Sequence, residues 1–143
     1  MTDLSVRRLT GADAEGWRAL RLEALSTYPQ AFLTTHDEAA AVSLDTIAER
    51  LENGHSFGVF TGSTLVGIGS LIPQTKAQTK HRADLGAFFV QPGAQGSGFV
   101  AASNARAIAF YMRAGFREVG QIPNATLSDG HAETDLIMIR AIA

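Results

Sequence analysis

The 143-residue sequence contains no cysteine. That absence excludes disulfides, thiolate metal ligands and a cysteine nucleophile together. Histidine is scarce, and His36, His55 and His131 have no partners at metal-ligand spacing, so no metal is expected. No apolar run approaches the ~18 residues needed to span a bilayer, and no basic-then-apolar stretch opens the chain. There is no Lys/Arg cluster either, and the formal net charge is −2. A nucleic-acid binder would show a basic face. What is present is 45% hydrophobic and 18% charged, a composition for one core in a single domain over residues 1–143. The expectation is a cytoplasmic protein with a small-molecule or peptide ligand and neither nucleic acid nor membrane as partner.

The hydrophobic pattern changes period along the chain. Leu4 to Leu9 reads as a strand, and Thr10 with Asp13 three places on is a helix N-cap signature. Trp17, Leu20, Ala24 and Leu25 then recur at helical spacing until Tyr28-Pro29, where the residue before proline leaves the α region. A second helix opens at Ser43, runs through Leu44, Ile47, Ala48 and Leu51, and closes at Asn53-Gly54, residues that tolerate a left-handed backbone. Ser56 to Phe60 and Leu65 to Ile72 form a hairpin across Thr61-Gly62-Ser63. His81 to Val90 is a third long strand, after a polar loop from Pro73 to Lys80. Asn104 to Ala114 is helical and stops at Gly115, and Arg117–Ile122 and Glu133–Ile142 are strands around a Pro123–Gly130 loop. The order predicts a mixed α/β (α+β) domain with a mostly antiparallel sheet and flanking helices.

Two stretches carry chemistry. Val90-Gln91-Pro92-Gly93-Ala94-Gln95-Gly96-Ser97-Gly98 is a strand end running into a glycine loop. Such a loop lets the backbone approach a ligand, and successive N–H groups can form an anion nest, though a plain turn would read the same way. Asn104 to Phe116 has the spacing Asn-x-x-Ala-x-x-x-Tyr-x-x-x-Gly-Phe, met by Asn104, Ala107, Tyr111, Gly115 and Phe116. An amphipathic helix with a cap and a glycine stop would also account for it.

In this order the two stretches resemble the GNAT superfamily of acetyl-CoA-dependent N-acetyltransferases. Gln95-Gly96-Ser97-Gly98 fills the first four places of the family's glycine motif, and Asn104–Phe116 matches its later signature. The resemblance implies a GNAT-like sheet with acetyl-CoA as cosubstrate and a primary amine of a small molecule or peptide as acceptor. A homodimer is the assembly considered. Pantetheine would lie along the strand ending at Val90, held by backbone groups of Phe88, Phe89 and Val90. Gln95, Gly96, Ser97 and Gly98 would wrap the pyrophosphate, Asn104 would bond the pantetheine arm, and Tyr111 would be the general acid. Asp84 is the candidate base, with solvent exposure or pairing to Arg82 as alternatives; His81 is the other titratable group nearby, a surface histidine being its alternative, and Glu23 could line the acceptor pocket, a solvated helix face being its alternative.

The proton chemistry stands without the family. An alkyl amine of pKa about 10.4 is free base at roughly one part in 2,500 at pH 7, a cost of about 4.6 kcal/mol. An α-amine near pKa 8 costs only about 1.4 kcal/mol. A departing thiolate resembles a thiol of pKa about 8.5, which a phenol near pKa 10 can protonate.

One departure from the family is plain. Gly98 runs straight into Phe99-Val100, where the motif expects further small residues and then a helix. Only eight residues separate Val90 from Phe99, and a parallel crossover needs roughly a dozen. The reading therefore expects a break between Gly98 and Phe99 that omits the cofactor helix. A true deletion there would point instead to a catalytically degenerate acyl-CoA-binding or protein-interaction domain.

Overall fold

The computed structural model describes residues 4–29, 32–91, 105–128 and 130–141. These fall into two compact units, residues 1–27 with 34–95 and residues 28–33 with 96–143. The first unit holds β1 (Leu4–Arg8), α1 (Ala14–Thr27), α2 (His36–Ala40), α3 (Leu44–Asn53), β2 (Ser56–Thr61), β3 (Thr64–Pro73) and β4 (Ala83–Val90). The second holds α4 (Ala105–Arg113), β5 (Arg117–Ser128) and β6 (His131–Ile139). The class is α+β with antiparallel sheets and helices, as the element order predicts. No helix among the described residues is long and apolar enough to cross a membrane.

In the first unit the strands lie in the order β1-β2-β3-β4, each pair antiparallel. Thr10 and Asp13 form the anticipated capping box, which opens a 3-10 turn that leads into α1. The apolar spacing of α1 buries Leu20, Ala24 and Leu25, α3 buries Ile47 and Leu51, and the strands add Phe60, Ile68 and Phe89. Phe89 is fully buried, so its side chain belongs to the core.

The ends of α3 depart from expectation in an instructive way. Ser43 caps its start by accepting a hydrogen bond from the Thr46 N–H. Its end is not left-handed, because Gly54 is extended (φ −96°, ψ −171°). Arg8 donates to the carbonyls of Glu52 and Gly54 instead, so a guanidinium from β1 satisfies what a left-handed cap would have satisfied. Glycine is still required at 54, since a Cβ there would stand 2.5 Å from the Arg50 carbonyl oxygen.

Three other readings change. α2 was not anticipated, although Thr35 and Glu38 form a capping box at its start. The third long strand begins at Ala83 rather than His81. The supposed Pro123–Gly130 loop is mostly strand, since β5 runs to Ser128 and pairs with β6 through Ser128↔His131. The register shifts between Ile122 and Thr126, which places Pro123 and Asn124 (φ 54°) at an irregularity where a missing N–H costs the ladder little.

Arg7 grips Asp13 with two hydrogen bonds of 2.9 and 2.8 Å and lies 4.2 Å above the Phe60 ring. The guanidinium holds the Asp13 carboxyl down from 3.8 to about 2. A folded-state pKa below the unfolded one means stability present above about pH 3.8 and lost as pH falls toward 2. Compared with an Asp13→Asn variant, the wild type is therefore expected to melt higher at pH 5, with the gap narrowing between pH 4 and 2. A gap that does not change with pH would remove the ion pair from the stability of this corner.

Candidate functional site

The strand expected to hold pantetheine is distorted where it matters. Ile68 faces Phe89 and Ser70 faces Gly86, so the two residues Ala87 and Phe88 of β4 stand opposite the single residue Gly69 of β3. This is a β-bulge, a feature that bends a strand and re-aims its groups beside active sites. Ala87 takes φ 50° there, a left-handed conformation that costs an alanine energy and persists only when its surroundings enforce it. Gly69 makes the bulge possible. A Cβ at 69 would stand 2.9 Å from Cε2 of Phe88, so the bare backbone of β3 leaves the space that the Phe88 ring fills.

Beyond the bulge, the Gln91 N–H donates to the Val66 carbonyl at 2.8 Å and prolongs the pairing past Val90. The Gln91 side chain donates from Nε2 to Oε2 of Glu23 at 2.9 Å, a part-buried bond joining the end of β4 to α1. Glu23, considered at first as a pocket residue, is thus a partner of the strand end. Asp84 lies three residues before the bulge, is exposed, and accepts a 2.7 Å hydrogen bond from Nε2 of Gln74. Its side-chain partner is Gln74 rather than Arg82. His81 is exposed in the turn that precedes β4.

The first unit also encloses a cavity of about 710 Å³ between its helices and β3–β4. Trp17 and Arg21 of α1, Glu38 of α2, Arg50 of α3, Ile72 of β3 and Ala87 at the bulge all line it. Its size is that of a small-molecule site. Its lining comes from segments far apart in the chain, so no single stretch of sequence marks it.

In the second unit, Tyr111 is fixed by the way its helix ends. The Phe116 N–H donates to the Tyr111 carbonyl at 2.8 Å and the Gly115 N–H to the Met112 carbonyl at 3.0 Å. Those two bonds with a left-handed Gly115 (φ 88°) make a Schellman motif, in which Tyr111 and Phe116 are the residues whose side chains should touch. They do, edge to face, with ring centroids 5.1 Å apart, and Phe110 adds a second edge contact at 5.7 Å. The spacing Tyr-x-x-x-Gly-Phe is therefore a helix stop that holds a tyrosine ring. Burial pushes the Tyr111 phenol above its usual pKa, which keeps it protonated at neutral pH.

Gln95, Gly96, Ser97, Gly98 and Asn104 lie outside the described residues, as does the junction between Gly98 and Phe99. The described candidates divide between the units: Asp84, Phe88, Phe89 and Val90 share β4, and Tyr111 is on α4.

No protein-family model matches the sequence, and no curated protein matches it. Solved structures do match. An acetyltransferase of the GNAT family from Streptococcus pneumoniae superposes with a TM-score of 0.80 at 16% identity, over 95% of this chain and 97% of that one. The fold is that of the GNAT acetyltransferases. A ribosomal-protein-alanine N-acetyltransferase from Brucella melitensis matches this GNAT fold at TM-score 0.74 and 21% identity, over 94% and 97% of the two chains. The yncA protein of Salmonella typhimurium, solved with its cofactor acetyl-CoA, matches at 0.75 and 15%, over 94% and 91%. These likenesses extend the GNAT resemblance from two motifs to nearly the whole chain.

Two substitutions probe the β4 bulge and the α4 helix stop. Gly69→Ala should destabilise the protein by about 1–3 kcal/mol in denaturant titration, because the ring of Phe88 must move or the bulge must close. Stability equal to wild type would show that β4 tolerates a regular register. Gly115→Ala meets Arg140 only at ordinary contact distances, the nearest 3.5 Å, so its cost is conformational, about 1–3 kcal/mol. A neutral result would mean that α4 ends without the left-handed residue.

Proposed function

We propose that this protein is an N-acetyltransferase that moves an acetyl group from acetyl-CoA to a primary amine. The observation that carries the reading is the Tyr111–Gly115–Phe116 helix stop, which holds a protonated phenol, within a GNAT fold. The amine nitrogen attacks the thioester carbonyl carbon, the tetrahedral adduct collapses, the C–S bond breaks, and the sulfur leaves with its electron pair. Tyr111 donates its phenolic proton to that thiolate. Its pKa, raised by burial, keeps the proton available until the sulfur needs it. The excess proton of the amide nitrogen passes to a base, for which Asp84 is proposed. The backbone of Phe88, Phe89 and Val90, re-aimed by the bulge, is proposed to hold pantetheine and polarise the carbonyl. Gln95, Gly96, Ser97 and Gly98 are proposed for the pyrophosphate and Asn104 for the pantetheine arm.

Tyr111→Phe is expected to lower turnover by ~10²–10⁴-fold with acetyl-CoA affinity near wild type, since a general acid acts in the transition state. An unchanged turnover number would leave Tyr111 as a packing residue only. Acetyl-CoA at 100 times its dissociation constant should add about 2.7 kcal/mol to stability. Stabilisation without CoA release from any amine would point to the degenerate acyl-CoA-binding reading, and no stabilisation would reject both.

A further inference from the structure

The charge on the cavity wall of the first unit discriminates among acceptors. Arg21 and Arg50 line it, and among the described residues its one acidic lining residue is Glu38. Oε2 of Glu38 already accepts bonds from the Thr35 N–H at 2.8 Å and the Thr35 hydroxyl at 2.9 Å. That carboxylate is committed to the start of α2, as the capping box requires. The two serine hydroxyls in the wall, of Ser56 and Ser70, are 2.9 Å apart and bond each other. The rest of the wall is largely apolar, with Trp17, Ile47, Leu51 and Leu71 among its residues. A polyamine would bring two or more positive charges against two guanidinium groups and one engaged carboxylate. A ligand with an apolar side chain and a carboxylate meets the opposite sign.

The proton balance points the same way. Among the described residues, Glu38 is the one carboxylate that lines the cavity, and Asp84 does not. A lysine-type amine must shed a proton at a cost of about 4.6 kcal/mol at pH 7, which calls for a base close at hand. An α-amine of a peptide costs about 1.4 kcal/mol and can release its proton through water. Arg21 is half-buried, and desolvation lowers its pKa. In such surroundings a carboxylate attracts a guanidinium more strongly than in open water.

We infer that the acceptor is the α-amine of a short peptide with an apolar side chain and a free carboxylate, the carboxylate meeting Arg21 in this cavity. The inference rests on the acetyltransferase reading for the word acceptor, and on the cavity alone for binding. The test uses leucyl-leucine, its C-terminal amide leucyl-leucinamide, and spermidine, each titrated calorimetrically into the full-length protein and each assayed for CoA release. The free acid should bind at least about tenfold tighter than the amide, which is about 1.4 kcal/mol, and tighter than spermidine by more. Arg21→Gln should bring acid and amide to within about threefold of each other. If Arg21→Gln does not fold, Arg50→Gln, at an exposed position, should narrow the same ratio. Equal binding of acid and amide, tighter binding of spermidine, or no binding of any of the three overturns the inference. Arginine-dependent binding of the acid without CoA release upholds the cavity's preference and rejects acetyl transfer. Fastest CoA release with spermidine does the reverse.

Discussion

The sheet of the first unit depends on one missing side chain. Gly69 sits at the centre of β3, and two residues of β4 must share the space opposite it. The Phe88 ring occupies the volume a Cβ would take, and Ala87 is driven to φ 50° in consequence. Left-handed backbone at an alanine is unfavourable alone, so the strain is sustained by the packing on either side of it. Those anchors are Phe89 in the core, one residue past the bulge, and the Gln91–Val66 backbone bond beyond it. The same distortion turns Ala87 into the wall of the cavity. One glycine thus links the register of a strand to the shape of a cavity.

The second unit solves a smaller problem with equally few parts. A tyrosine one turn from the end of a helix would ordinarily be free to sample rotamers as the terminus frays. Here the Schellman motif closes the last carbonyls and brings Phe116 back over the Tyr111 ring. The motif is local, spanning six residues, and therefore readable from sequence. Glycine at C′, an aromatic at C″ and an aromatic at C3 together predict both the stop and the ring contact.

That contrast explains which features were readable. Helix caps at Thr10–Asp13 and Ser43, the Gly62 turn and the α4 stop are short-range, and each appears where the pattern places it. The Thr35–Glu38 box was equally local; its helix of five residues gives too little apolar periodicity to draw notice. Long-range substitutions were hidden. Nothing near Gly54 announces that Arg8, 46 residues earlier, will cap α3. Nor does alternation along β4 reveal a bulge, because a register shift depends on the partner strand and not on the strand's own composition. Pro123 suggested a loop because proline breaks a regular ladder, and the irregularity of β5 is what absorbs it. For the candidate site, Tyr111 was visible through its spacing, whereas the cavity's charge was not. Arg21, Arg50 and Glu38 come from three different helices, and only tertiary structure makes them neighbours of one volume.

On the proposed function, two proton transfers have to be balanced. Acyl transfer to an amine must remove a proton from nitrogen and supply one to sulfur. Tyr111 suits the second task, since burial holds its proton firmly while a thiolate's affinity for it is within a few pKa units. The first task has no dedicated group in the cavity wall: Glu38 is engaged, and Asp84 is tied to Gln74 at the surface. A site without a base close at hand suits an amine that loses its proton readily. The difference between about 4.6 and about 1.4 kcal/mol is a factor of roughly 200 in the fraction of reactive amine at pH 7. That factor stands at the top of the roughly 10–200-fold range that one added methylene in an apolar pocket supplies, so on this reading the acidity of the acceptor, with the sign of its other charge, weighs at least as much in selection as its shape does.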